Sequence, residues 1–247
     1  LPSGCYGKGW RESGECLYRE GTVGAFMIAP MLAAYEVTAD SCYFTSAKSA
    51  YDFYFAEFAR EGYTTAGALD TWCIDKESSM SMLRAAILLY DLTGNRQYLH
   101  DAERISYYLS TWLWHYNAPY TDNEVGYNNF RTFGATSVSV QHHHLDVYAL
   151  LWVGEWLRLA ELTGNDIWRD KALAVWSYGC QGVSHGTLEV NGRVRPVGSQ
   201  NEAFFNCHWE YTHGKPRFND WLVAWPGAFR LETLRHLTDW SVLNQTE

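Results

Sequence analysis

Leu92-Thr93-Gly94-Asn95-Arg96-Gln97-Tyr98-Leu99 and Leu162-Thr163-Gly164-Asn165-Asp166-Ile167-Trp168-Arg169 are two versions of one phrase, set 70 residues apart. Each closes a long apolar segment (Leu88-Leu89-Tyr90-Asp91 before the first, Leu157-Arg158-Leu159-Ala160-Glu161 before the second) and opens another at once. A helix that stops at Gly and restarts within a few residues is an αα-hairpin, because Gly takes the left-handed cap conformation at little steric cost. Recurrence at a fixed period predicts stacked helix pairs.

Outward from these phrases the chain reads as more of the same. A buried helix is expected over 22–38 and a second over 45–61, after a turn at Ser41-Cys42-Tyr43-Phe44-Thr45. A third is expected over 75–90 and a fourth over 96–114, then a polar stretch over 117–139. Helix five is placed at 143–162, helix six at 167–178, and a last one at 219–237, kinked at Trp225-Pro226. Between them, at 183–206, the Asn191-Gly192 pair flanked by Thr187–Val190 and Arg193–Val197 predicts a β-hairpin. The odd-numbered helices are the more apolar. The even-numbered ones carry Asp101, Glu103, Arg104, Arg169 and Asp170, which are expected to face solvent.

The 247 residues read as a single domain, since no linker divides them, and 47% hydrophobic with 19% charged residues describes a folded chain. A formal charge of −9 excludes a phosphate-backbone partner, so no nucleic acid is expected. No apolar run reaches the roughly 18 residues of a membrane span, so no membrane is expected either. The chain opens on Leu1 with no signal-peptide core in view, the mark of one cut, processed or excised from something longer. Six cysteines lie far apart without CxxC spacing, so no zinc knuckle is legible. Buried thiols and disulfides both fit, with Cys5–Cys16 the leading pair. Twelve Trp and seventeen Tyr exceed what packing alone calls for, and such rings also stack on sugars.

Over 22–240 the hairpin ends, the apolar/charged alternation and the aromatic-rich loops resemble the α/α-toroid, or six-hairpin glycosidase, superfamily. The resemblance implies an all-α fold of antiparallel helix hairpins closing into a toroid or part of one, with one small β-hairpin insertion. It also implies an enzyme that hydrolyses, eliminates or epimerises sugars. A full toroid has about twelve helices against the seven read here, so the resemblance is to the C-terminal part. A missing N-terminal portion of the same polypeptide, or a second copy, is then an expected partner, beside an oligo- or polysaccharide substrate.

In such a barrel the starts of the inner helices gather at one end. Three starts are rich in reactive groups: Trp72-Cys73-Ile74-Asp75-Lys76-Glu77, Gln141-His142-His143-His144-Leu145-Asp146 and Arg217-Phe218-Asn219-Asp220-Trp221. Trp72, Glu77, His143, Asp146 and Trp221 are thus expected to line one concavity. Glycosidic cleavage needs two carboxyl groups, one protonated and one ionised. Asp75 and Glu77, at i and i+2, point apart on a helix, so one of them opposite Asp146 or Asp220 is the better pair. Lys76 is placed to hold one carboxyl ionised. The ordinary alternative makes Asp75 a helix cap and Lys76 and Glu77 a solvated pair.

Three consecutive histidines on a helix lie about 100° apart and cannot share a metal, so no metal and no cofactor is expected. His143 is a candidate proton-transfer base and His142, His144 and Gln141 candidate sugar contacts, with capping of helix five the structural alternative. The loop 116–139 offers Tyr127 as a sugar platform and Arg131 as a partner for a uronate; the alternative is a plain rim connection. The loop 200–215 holds Glu202, His208, Trp209, Glu210, Tyr211 and His213, and Glu202 or Glu210 is a second-carboxylate candidate. Asn244-Gln245-Thr246 matches a glycosylation sequon at the chain end. A glycoside hydrolase with Asp75, Glu77, Asp146 and His143 as catalytic groups is the leading reading. Substrate contacts are then Trp72, Lys76, Gln141, His142, His144, Tyr127, Arg131, Asp220 and Trp221. A uronate-directed lyase or epimerase, with His143 or His144 as base, and a non-catalytic glycan-binding module are the alternatives.

Overall fold

Both repeated phrases end their helices as the sequence requires: Gly94 and Gly164 each take φ +68°, and the Gly94 N–H returns to the Tyr90 carbonyl at 2.7 Å. The computed structural model describes residues 1–65, 73–139, 142–190, 192–206 and 216–244, with backbone only at Asn123, Ser139, His142 and His143. They fall into two compact units, Leu1–Thr111 with Glu161–Gly164, and Trp112–Ala160 with Asn165–Glu247.

The first unit opens with an antiparallel pair, β1 (Gly9–Trp10) and β2 (Cys16–Tyr18), and a 3-10 turn at Val23–Met27. Four helices follow: α1 (Ile28–Thr38), α2 (Ser41–Glu61), α3 (Glu77–Thr93) and α4 (Gln97–Ser110), with the short strands β3 (Thr64–Thr65) and β4 (Ile74–Asp75) before α3. Helix α2 begins four residues before its expected start. Asp40 accepts from the Cys42 N–H at 2.9 Å, a cap that turns Ser41–Thr45 helical instead of leaving it a turn. α3 packs on α1, α2 and α4 and buries Met80, Met82, Leu83, Ala85, Ala86, Ile87 and Leu89. Each of the larger side chains contributes about 1.5–3 kcal/mol by leaving water. α4 buries one stripe, Tyr98, Leu99, Ala102, Ile105 and Leu109, beside the more fully buried α3. The expected alternation fails in the first pair: α1 buries only Ile28 and Leu32, whereas α2 buries Ala47, Ala50, Tyr51, Tyr54 and Phe58.

Asp101 departs from expectation as well. Expected in solvent, it is buried, where it accepts from Tyr51 Oη at 3.2 Å and Gln97 Nε2 at 2.9 Å. Position on the charged helix did not decide its exposure; the hydroxyl that α2 presents did. Gly24 shows how closely this unit packs. A Cβ there would lie 1.9 Å from Tyr54 Oη, which already accepts from the Tyr6 and Gly7 N–H groups at 2.9 and 3.2 Å.

The second unit contains the helical turn α5 (Asp122–Val125), the strands β5 (Thr136–Ser139) and β6 (His142–Asp146), and a 3-10 turn at Tyr148–Trp152. Then come α6 (Val153–Thr163), which belongs here through Ala160, and α7 (Ile167–Gly179). The hairpin β7 (Glu189–Val190) and β8 (Arg193–Val194) stands where Asn191-Gly192 predicts it. β9 (Ala203–Phe205), β10 (Arg217–Phe218) and α8 (Trp225–His236) complete the unit.

Two expectations fail here. The first is helix five: its first four residues lie in strand β6, one member of an antiparallel four-stranded sheet in the order β10-β9-β6-β5, and the α-helix begins only at Val153. The partners Thr136 and Phe205 fix residues 142–146 as extended, which a reading of local pattern could not supply. The second is the last helix, which starts at Trp225 with Pro226 in its first turn, where proline is favoured, so no kink forms. Trp152, Trp156 and Trp168 are fully buried and packed ring on ring at 5.6 and 6.0 Å, so part of the tryptophan excess is core.

Cys5, Cys16, Cys42, Cys73 and Cys180 are free thiols, and Cys207 lies outside the described residues. The Cys5–Cys16 bridge does not form; Cys5 Sγ turns to the Arg19 carbonyl and Cys16 Sγ to that of Tyr18. No helix among the described residues is long and apolar enough to cross a membrane.

Candidate active site

In the first unit the reactive groups stand where β4 turns into α3. Thr64 pairs with Asp75 and Thr65 with Ile74 across β3 and β4. Hydroxyls complete the joint: Thr64 Oγ1 and Tyr108 Oη both donate to the Asp75 carbonyl, at 2.6 and 2.9 Å. Ser78 Oγ donates to the Thr65 carbonyl at 2.6 Å. The Thr22 and Thr65 N–H groups each donate to the other's hydroxyl, at 2.8 and 2.9 Å. None of Tyr108, Thr22, Thr64, Thr65 or Ser78 stands out in the sequence, since hydroxyls are common and only pairing reveals their use.

Asp75 Oδ1 accepts from the Lys76 and Glu77 N–H groups at 2.5 and 3.1 Å, but the N-cap of α3 is Lys76, so Asp75 is not the helix cap and instead braces the backbone one residue ahead of it. The solvated-pair alternative for its neighbours is overturned. Asp75, Lys76 and Glu77 are 2%, 1% and 9% exposed, and Lys76 Nζ lies 4.0 Å from Asp75 Oδ1. Trp72, the remaining candidate on this segment, lies outside the described residues.

In the second unit the histidine run is extended, so the helical spacing argument does not apply; His144 and Asp146 share one face of β6 and Leu145 takes the other. The backbone places His142 and His143 on this strand, and Gln141 lies outside the described residues. His144 stands edge-on to Phe205, its cross-strand partner, at 4.5 Å. Asp146 is 1% exposed. It accepts from Thr136 Oγ1, directly opposite across the strands, and from the Tyr148 N–H at 3.1 Å, holding the strand end to the 3-10 turn.

Tyr127 packs edge-on to Phe130 and Phe218, at 6.2 and 5.7 Å, and is half-buried in that cluster. Arg131 is exposed, its N–H and carbonyl clamped by the Gln181 amide at 2.9 and 2.8 Å. Asp220 is exposed, with a terminal nitrogen of Arg195 and one of Arg217 each 3.9 Å from its carboxylate, and Trp221 beside it is 57% exposed. Glu202 is half-buried, while His208, Trp209, Glu210, Tyr211 and His213 lie outside the described residues. Tyr178, Gln200, Asn201 and Asn219 are buried behind the sheet, with the half-buried Arg230 turned to Gln200; of these the sequence reading reached only Asn219 and Gln200, as members of candidate segments.

No protein-family model matches this sequence, and no curated protein matches it. Solved structures do. The crystal structure of an unsaturated glucuronyl hydrolase specific for heparin superposes with a TM-score of 0.59 at 13% identity, over 98% of this chain and 59% of that one. The unsaturated glucuronyl hydrolase of Bacillus sp. GL1, responsible for the degradation of glycosaminoglycan, gives 0.54 at 12% identity, over 98% and 64%. The chain therefore spans about three-fifths of the length of each. The fold class is all-α, of antiparallel helix hairpins as in α/α-toroid glycosidases. At such identities the likeness carries the fold alone.

Proposed function

We propose that this chain is a carbohydrate-active enzyme of the glycoside hydrolase type, with Asp75, Glu77 and Asp146 as its candidate catalytic carboxylates. One observation carries the reading: three consecutive charged residues, Asp75-Lys76-Glu77, are buried at one helix start. Charged side chains bury this far only within a polar cluster, and three in a row concentrate one at this helix start. Hydrolysis of a glycosidic bond calls for two carboxyl groups whose surroundings push their ionisation apart. Lys76 beside Asp75 suits Asp75 to the ionised role, and Glu77 and Asp146 are the candidates for the proton donor. The neighbours of like fold act on unsaturated glucuronides, so oligosaccharides ending in an unsaturated uronic acid are the first substrates to try. His143 is kept as an auxiliary base. Trp72, Gln141, His142, His144, Tyr127, Arg131, Asp220 and Trp221 are kept as substrate contacts, with Trp221 the exposed indole among them.

The test is a turnover assay on saturated and unsaturated oligosaccharides, followed in the near ultraviolet and by new reducing ends. Hydrolysis of an unsaturated uronide removes its chromophore and a saturated substrate yields reducing ends alone, whereas a lyase creates the chromophore. Glu77→Gln is expected to lower turnover by at least about a hundredfold, the scale of general acid–base catalysis. Near-normal turnover in Glu77→Gln, or chromophore gain in the wild type, would overturn the assignment. Binding without turnover across the panel would leave a glycan-binding module instead.

A further inference from the structure

Two guanidiniums of the second unit converge on one carboxylate beside an exposed indole. Arg195 follows β8, its N–H donating to the Leu188 carbonyl and its carbonyl accepting from Ser184 Oγ, both at 2.8 Å. Arg217 opens β10 opposite Phe205. Between the two stands Asp220, with a terminal nitrogen of Arg195 3.9 Å from Oδ1 and one of Arg217 3.9 Å from Oδ2. The backbone on either side of Asp220 is held as well. The Asn219 N–H donates to the Ala203 carbonyl at 3.0 Å, and the Trp221 carbonyl accepts from the Glu202 N–H at 2.9 Å.

These ion pairs are slack. A charge-assisted bond from guanidinium to carboxylate closes to about 2.7–2.9 Å, and both contacts stand well outside that range. Arg195 is the clearer case. Its side chain is 12% exposed, yet among the described residues it makes one hydrogen bond, to the Asp220 carbonyl at 3.4 Å, and its buried Nε makes none. A guanidinium carries five N–H donors and keeps its charge at any ordinary pH, so a largely buried one with so few acceptors calls for an anion. Among these three side chains two positive charges face one negative, in a chain of net charge −9. The group is also open to solvent: the Asp220 and Arg217 side chains are 44% and 23% exposed and Trp221 is 57% exposed.

We infer that Arg195 and Arg217 bind the acid group of an anionic sugar, a carboxylate or a sulfate, whose ring lies on the Trp221 indole. Charge selects the acid group. Arg195 has donors to give and Arg217 faces it across Asp220, so an incoming anion meets both. Shape selects the ring. A sugar presents a flat apolar face, and an indole open to solvent on a fixed backbone takes that face while the acid group reaches the neighbouring cations. Register ties the place to the candidate site. Arg217, Phe205 and His144 are successive cross-strand partners and share one face of the sheet, so the acid group sits at the sheet edge, at the end of the row that His144 occupies. The inference rests on the carbohydrate reading above for the ring, and on the two arginines for the acid.

The test is a calorimetric titration of the intact chain with a glucuronate-containing disaccharide, its carboxyl-reduced neutral form, a sulfated form of that neutral sugar, and sodium sulfate alone. At least one acidic disaccharide is expected to bind saturably and at least about tenfold more tightly than the neutral one, the scale of one charge-assisted hydrogen bond. Whichever acidic form binds more tightly names the acid group. Added salt should weaken the acidic ligand more than the neutral one. Arg195→Gln and Arg217→Gln are each expected to reduce the preference for the acidic sugar, with Arg195→Lys and Arg217→Lys restoring part of it. Trp221→Ala should weaken both sugars. Equal binding of acidic and neutral forms, a preference unchanged in both glutamine variants, or an unchanged affinity in Trp221→Ala overturns the inference. So does the absence of saturable binding, or sulfate alone binding as tightly as the acidic sugars, which means an adventitious ion only. Should Arg195→Gln fail to fold, Arg217→Gln and the ligand series on the unaltered chain decide. Because the readout is binding, absent turnover with the preference intact counts against the proposed hydrolase alone, and turnover without the preference counts against this site alone.

Discussion

Asp75 carries two roles that substitution can separate, its bonds to the backbone ahead of α3 and its proposed part in the chemistry. Asp75→Asn keeps an Oδ1 to accept from the Lys76 and Glu77 N–H groups, at 2.5 and 3.1 Å in the native chain, and removes only the charge. Asp75→Ala removes the acceptor too. Both variants lose the carboxylate 4.0 Å from the buried Lys76 Nζ, so that loss cancels when they are compared. The remaining difference is the pair of bonds to helix-start N–H groups, worth about 0.5–2 kcal/mol on the scale of such contacts. For a chain of this size each kcal/mol moves Tm by about 2–4 °C, so the alanine variant should melt about 1–8 °C below the asparagine variant. Turnover should not follow that order. Asp75→Asn, the better folded of the two, should already be at least about a hundredfold slow, and alanine should add little. Thermal unfolding and initial rates on the same preparations supply both numbers. Equal melting temperatures would refute the bracing role, and near-normal turnover in the asparagine variant would refute the catalytic role.

Other outcomes follow from single contacts. Gly24→Ala would bring a Cβ to 1.9 Å from Tyr54 Oη and should cost about 1–3 kcal/mol from overpacking alone. Combined with Tyr54→Phe the penalty should be less than the sum of the two, and additivity in denaturant unfolding would refute the clash. Burial raises the Asp101 carboxyl above its ordinary pKa, with Gln97 and Tyr51 pulling part of the way back. Its contribution is therefore full below the unfolded pKa of about 3.9 and is lost as pH rises through the folded value. The stability of Asp101→Asn relative to wild type should accordingly improve as pH is raised from the acid side; a flat difference would refute this. Cys42 is exposed, yet the hydrogen bond to Asp40 raises its thiol pKa. Asp40→Asn should then speed its labelling by a thiol reagent at neutral pH, and an unchanged rate would count against the contact.

What the sequence determined by itself is what short-range physics controls. Gly94 and Gly164 end helices because a left-handed residue must follow the last turn. The apolar spacing of α3 and α4 gives two helices packed side by side, and Asn191-Gly192 gives a hairpin. The clustering of Asp75, Lys76 and Glu77 at a helix start was legible for the same reason, although their burial was not. Tertiary structure decided the rest. Residues 142–146 became a strand because β5 and β9 offered backbone partners on both sides, and hydrogen bonds between distant segments leave no local periodicity to read. Asp101 went inside because Tyr51 met it there, and Tyr178 and Asn201 came to share a cavity although 23 residues separate them. Burial depends on what the rest of the chain places opposite a residue, and local sequence carries little of that information.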